Sequence, residues 1–263
     1  MKKHAVTALN ALLVLASLLV LWRLLIWVFA IPKYMLPTPW AVAQAAASRS
    51  SSLLTSVWIT GEAAAGGLLA SVVGGILIAL IFAQSRWIRR MFYPYTILLQ
   101  TVPIIAIAPL ILMWVGTGIM AVMCIAFIIC LPAIIANTTQ GLIGVDRNLI
   151  DLFLMHNAKP AEVLWKLRLP HAVPSLFTGL RIASGVSVIG AIIGELFAGS
   201  TRVGEGGLGY AIQYATSQLQ TDYLFALVFA ASALGFAFFF IIMFLEWYFL
   251  HNWHESARPA ENE

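Results

Sequence analysis

Glu195 lies in the apolar run SVIGAIIGELFAG, and we read it as the one acid set well inside a membrane span. A carboxylate in hydrocarbon is costly and faces a bundle interior or an aqueous cavity. It can serve a translocation pathway or anchor backbone N–H groups of the glycine-rich stretch that follows, and the sequence leaves both roles open. Gly204, Gly206 and Gly209 match Gly-x-Gly-x-x-Gly, a pattern that cradles pyrophosphate only where a strand turns into a helix. Here a membrane-length apolar run precedes it, so nucleotide binding is excluded. These glycines, with Gly207, are expected to form tight backbone in an outer loop. Cys124 and Cys130 stand six residues apart on one predicted helix, about 240° around it, and cannot bridge. His156 and His171 are fifteen residues apart, and His251 with His254 lacks a third ligand, so no metal centre is expected. The richest polar stretch is DRNLIDLFLMHNAKPAEVLWKLRLPHAVP, basic and set between two apolar runs.

Composition says what must position these residues. With 61% hydrophobic and only 10% charged residues, and a mean hydropathy of +0.92, the chain is an integral membrane protein. The net charge of +4 is spread over short loops and does not form a nucleic-acid-binding face. Six spans are predicted, at about 9–30, 56–84, 94–115, 118–140, 175–198 and 223–250. The first could be a secretory signal, but Trp22, Arg23 and Trp27 replace the small residues that cleavage needs, so it is kept as a span. The fold expected is an all-α polytopic bundle. Residues 1–8 and 251–263 are expected in the cytoplasm, and a permeating domain over 9–250 carries a cytoplasmic loop at 141–174. In that orientation Lys2, Lys3, Arg86, Arg89, Arg90, Arg147, Lys159, Lys166, Arg168 and Arg258 lie inside, and only Lys33, Arg49 and Arg202 outside, as the positive-inside rule requires.

Within the bundle, Gly66, Ala70 and Gly74 form one small-residue stripe of the second span and Gly67, Ser71 and Gly75 another; Gly190 and Gly194 repeat the spacing in the fifth. Such stripes let helix backbones approach closely. Pro103 and Pro109 break the hydrogen-bond ladder of the third span and predict a kink, which either lines a pathway or is structural alone; Gln100, Thr101 and Pro103 are its candidate pathway residues, with interfacial hydrogen bonding the alternative for Gln100 and Thr101. In the cytoplasmic loop a short helix is expected from Pro160 to Arg168, opened by Pro160 and Glu162 and stopped by Pro170. Val163, Leu164 and Leu167 share its apolar face, and nine residues are too few for a stable free helix, so that face needs a surface to rest on.

Asp151 to Pro170, followed by His171, Ala172, Val173 and Pro174, resembles the coupling loop of the inner-membrane permease subunits of bacterial ABC importers. That family's loop opens Glu-Ala-Ala, carries a Gly and closes on an apolar residue, Leu and Pro. The matching positions here are Asp151-Leu152-Phe153, Asn157, and Leu167, Leu169 and Pro170, with Ala158 and Lys159 inside the loop. Asn at the glycine position still permits the left-handed backbone of a sharp turn. LPTPWAV, TVPIIAIAPLILMWVG and GLRIASGVSVIGAIIGELFAG followed by GGLGYAI are similar to the nitrate/sulfonate/taurine branch and to its pyrimidine- and riboflavin-precursor relatives.

The resemblance implies a permease working with a second permease subunit, as a homodimer, two copies of an ABC ATPase and a periplasmic or lipid-anchored binding protein. ATP and Mg2+ would be bound by the ATPase and no cofactor by this chain. Consistent with that division, no Gly-x-x-x-x-Gly-Lys-Ser/Thr motif is present. Its other contacts would be membrane lipid, with no nucleic acid. An ion-coupled carrier or channel is the competing reading; it would place several ionisable groups at midplane or show repeated halves. A membrane-embedded enzyme would need a catalytic cluster within the spans, and none is read.

Overall fold

A computed structural model of the chain describes residues 2–198 and 206–251. Helices α1 (Lys2–Val28), α2 (Pro39–Ser48), α3 (Ser50–Gln84), α4 (Arg86–Thr101), α5 (Ile104–Val115), α6 (Ile119–Ile143), α7 (Arg147–Met155), α8 (Pro160–Val163), α9 (Leu169–Ala198), α10 (Leu208–Ser217) and α11 (Thr221–Leu250) follow one another, with a π-helical turn at Leu164–Arg168. Among the described residues, α3, α6, α11 and the continuous run Pro160–Ala198 are long and apolar enough to cross a membrane. The apolar part of α1 is Ala16–Val28. Its Trp22 ring lies 5.8 Å from that of Phe225 and 5.9 Å from that of Phe229, which docks α1 on α11.

The centre of the bundle is α6, held between α3 and α9. Of the two small-residue stripes in α3, the buried one is Gly67, Ser71 and Gly75, whereas Ala70 is exposed. A Cβ on Gly67 would sit 2.8 Å from the Met123 carbonyl oxygen, so only glycine allows this crossing. The Ser71 hydroxyl donates across the seam to the Phe127 carbonyl at 2.9 Å as well as to its own helix. On the other side Gly190 and Gly194 admit the backbone of α6 at Ala126 and Val122, again with no room for a Cβ.

The third span, in which a kink was expected at Pro103 and Pro109, is two helices bent by 101°. Val102 takes extended backbone before Pro103, as pre-proline residues prefer, and Pro103 supplies no N–H to continue the ladder. Pro109, by contrast, stays inside α5 without ending it. The expected stop at Pro170 does not occur: the chain passes through Pro170 into α9. Pro170 lacks an N–H, and its ring would press on the carbonyl four residues back in a regular helix. The turn just before it widens, with the Leu169 N–H donating five residues back to the Leu164 carbonyl, and the helix survives.

Two helices lie where only loops were expected. Thr38 caps α2 by accepting from the Ala41 N–H at 3.3 Å, with Pro39 in the first turn. Helix α10 follows Gly207, and Val42, Ala45, Leu208, Ala215, Tyr223 and Leu227 join α2, α10 and the start of α11 into one apolar cluster.

Candidate coupling loop and outer carboxylate site

The loop between α6 and α9 is built from two short helices and a tight turn. Asp146 caps α7, its carboxylate accepting from the Asn148 N–H at 2.9 Å. The turn that follows needs one residue in left-handed backbone, and Asn157 supplies it with φ +55°. Ala158 is half-buried behind it, Lys159 is the N-cap of α8 and Pro160 takes the first helical position. The Glu162 carboxylate accepts from the Lys159 N–H at 2.9 Å and pairs with Lys166 Nζ at 3.1 Å. The backbone N–H bond, then the Lys166 ammonium, hold the Glu162 carboxyl below the usual carboxylate range.

The apolar face rests on this chain itself. Val163 is buried, and Leu164 and Leu169 pack against Ala79, Ala83, Leu142 and Ala172 at the lower ends of α3, α6 and α9. Leu167 is half-buried and Pro170 lies within α9. The Arg168 guanidinium donates to the Ala83 carbonyl at 3.1 Å, and His171 Nδ1 lies 2.9 Å from the Gly141 carbonyl, tying the loop to α3 and α6. What faces outward is another set: Leu152, Met155 and Trp165, with Met155 at 80% and Trp165 at 70% exposure. Exposed apolar side chains on a polar loop outside the spans form an unpartnered knob. Asp151 points instead into a cleft of about 850 Å³ behind the loop, which Arg86, Arg89, Arg147 and Arg168 also line.

At the far end of α9, Glu195 is buried. One carboxylate oxygen accepts from the Thr60 hydroxyl at 2.9 Å and from the Gly209 N–H at 2.8 Å, and the Thr60 oxygen in turn accepts from the Leu208 N–H at 2.7 Å. Ser56 donates to the Gly206 carbonyl at 2.8 Å. A Cβ on Gly207 would fall inside the Glu195 carboxylate, so the loop reaches the acid only as glycine. Gly204 lies outside the described residues. Gln100, Thr101 and Pro103 are exposed at the α4–α5 elbow, and neither hydrogen bond to Glu195 comes from them.

Residue-type reasoning missed the partners. Ser56 and Thr60 lie one helical turn apart on α3, and that spacing was the available signal. Glu195 is not alone among acids in the spans either: Glu62 is exposed on α3, and Glu246 on α11 pairs with Arg181 Nε on α9 at 3.3 Å. Two opposite charges in apolar runs on separate helices were the sign of that pair.

Residues 71–251 match the family described as the binding-protein-dependent transport system inner membrane component. The chain belongs to this family. A probable ABC transporter permease of Haemophilus influenzae is 32% identical over 90% of this chain and 95% of its own length. The formylaminopyrimidine transport permease ThiX of Halalkalibacterium halodurans is 32% identical over 93% and 96%. The riboflavin transport system permease RibX of Chloroflexus aurantiacus is 30% identical over 83% and 80%. In fold, a chain of the MetNI methionine ABC transporter in inward-facing form superposes with a TM-score of 0.58 at 20% identity, covering 73% of the permease and 94% of that chain. The protein is thus an inner-membrane, multi-pass permease subunit of an ABC importer, and ATP hydrolysis belongs to a separate subunit.

Proposed function

We propose that two copies of this permease form the pathway, that two ATPase subunits grip the α7–α8 loops in the cytoplasm, and that an external binding protein delivers a nitrogen-heterocyclic vitamin precursor of the pyrimidine or flavin kind. The observation that carries the loop's role is its geometry. One apolar face is fixed to the lower ends of α3, α6 and α9, and Leu152, Met155 and Trp165 project with no partner among the described residues. A partner that moved this knob would push directly on the spans it is packed against. Both termini lie inside in this reading, supported by the basic residues gathered at the loop end of the bundle, Arg86, Arg89, Arg147 and Arg168 among them.

The substrate class is supported by the likeness to the formylaminopyrimidine and riboflavin permeases over most of the chain. A second reading, a sulfonate- or taurine-like anion, is favoured by the taurine permease TauC of Escherichia coli, 31% identical over 60% of this chain. Glu195 serves to anchor the outer glycine segment, since its recorded hydrogen bonds go to Thr60 and Gly209. The test is reconstitution with an ABC ATPase and a substrate-binding protein that assemble with this chain. ATP-dependent uptake of a labelled aminopyrimidine, absent with taurine, is expected; uptake without any ATPase would refute the scheme.

A further inference from the structure

The cleft behind the coupling loop has a charge pattern that docking of the outer knob does not use. It opens between the end of α3, the start of α4, the end of α6, and α7 with α8. Arg86, Arg89, Arg147 and Arg168 line it, with Asp151 and Gln84 as the other polar side chains. No ion pair to any of the four arginines occurs among the described residues. Arg168 gives one terminal nitrogen to Ala83, and its Nε is buried with no partner; Arg89 donates to the Phe82 carbonyl at 3.4 Å. Four guanidiniums against one carboxylate repel one another across the cavity, and a planar guanidinium is the side chain best matched to a phosphate.

The same corner carries the marks of a bilayer interface. On α4, beside Arg86, Arg89 and Arg90, the side chains of Trp87, Phe92 and Tyr95 are exposed. Aromatic side chains of this kind collect at headgroup level, where the cytoplasmic leaflet presents anionic phosphates. We infer that the cleft holds the phosphate of an anionic phospholipid headgroup, bridging the start of α4 to α7 and the Arg168 turn, so that lipid fixes the coupling loop against the bundle. The inference rests on the orientation proposed above, which brings this end of the bundle to the anionic leaflet.

The test uses the full chain purified in a neutral detergent and titrated with phosphatidylglycerol, phosphatidylcholine or inorganic phosphate under native mass spectrometry. Phosphatidylglycerol is expected to be retained at about tenfold lower concentration than phosphatidylcholine, with the preference lost in the Arg86→Gln/Arg147→Gln pair and reduced in Arg89→Gln. Equal retention of both lipids by the unaltered chain, or a preference that survives in the variants, overturns the inference. So does tighter binding of inorganic phosphate than of phosphatidylglycerol, which would make this a soluble-anion site. Displacement of the lipid one-for-one by the ATPase subunit would assign the cleft to that protein instead, and would equally overturn it. Retention in detergent does not depend on how the chain sits in a membrane, so a wrong orientation and a wrong ligand give separate results.

Discussion

At the end of α9 away from the α7–α8 loop, one oxygen of a buried carboxylate, a threonine hydroxyl and two backbone N–H groups bond one another across α3, α9 and α10, and the second carboxylate oxygen has no partner among the described residues. At the loop end four guanidiniums share a cleft with a single acid, and large apolar side chains stand out from a loop. The carboxylate end closes on itself through short contacts at glycines; the loop end leaves charge and apolar surface open. The contrast is therefore one of geometry: one region is drawn together by close contacts across three helices, and the other presents guanidiniums and large apolar side chains outward.

Substitutions can break this contrast. The largest expected effect is at Gly209, where alanine would thrust a methyl into the Ile192 carbonyl on the backbone of α9, which cannot swing aside, and cost about 3 kcal/mol of stability. Thermal unfolding of the detergent-purified chain reads it; an unchanged transition would mean the outer contacts are loose. Next, Glu195→Ala should destabilise by about 2 kcal/mol by orphaning the Thr60 and Gly209 donors. Glu195→Gln keeps an acceptor in place and should transport as the parent does. Loss of uptake in a well-folded Glu195→Gln chain would instead give the acid a direct part in the pathway.

The loop end should answer differently. The Met155→Asp/Trp165→Asp pair is expected to lower ATPase stimulation at least tenfold while changing stability by no more than about 0.5 kcal/mol. Leu164→Asp, on the packed face, should instead weaken the fold itself by about 2 kcal/mol. If the exposed pair unfolds the chain and the packed residue does not, the assignment of faces is reversed. Asn157→Ala should cost about 1 kcal/mol because alanine resists φ +55°, and Asn157→Gly should be close to neutral. Smallest is the Glu162 contribution. Its lowered pKa means the carboxylate is charged and bonded at neutral pH, and that contribution fades only as pH falls through the lowered value. Hydrogen-exchange protection of the Lys159 amide should follow that titration in the parent and be insensitive to it in Glu162→Gln.

The spans were legible because a run of apolar residues long enough for hydrocarbon has few other readings, and four of them appear as single helices covering the expected ranges. What proline does was less legible. Pro103 ends a helix, Pro109 and Pro170 do not, and the difference lies in neighbours: Pro109 sits on a helix packed against α6, and Pro170 follows a widened turn. Helix α2 had its Thr-Pro signature in plain view, but its short apolar sequence AVAQAAAS has no stripe to mark it. Asn157, Pro160 and Glu162 fall where turn and capping chemistry puts them, since those preferences are local. Which face of the coupling segment is free could not be read from residue type, because apolar side chains suit a bundle's underside and a partner's groove equally well. The Arg181–Glu246 pair escaped notice for a related reason: each half is unremarkable until α9 and α11 are brought together.

From Pro160 to Ala198 the backbone is one unbroken rod of 39 residues, about 58 Å at the rise of a regular helix. Its first turns carry Trp165, the one member of the knob outside α7, and its last carry Glu195. A push at one tip must therefore be felt at the other, unless the five-residue π turn at Leu164–Arg168 yields and takes up the slack. That turn is where a lever would have its clutch.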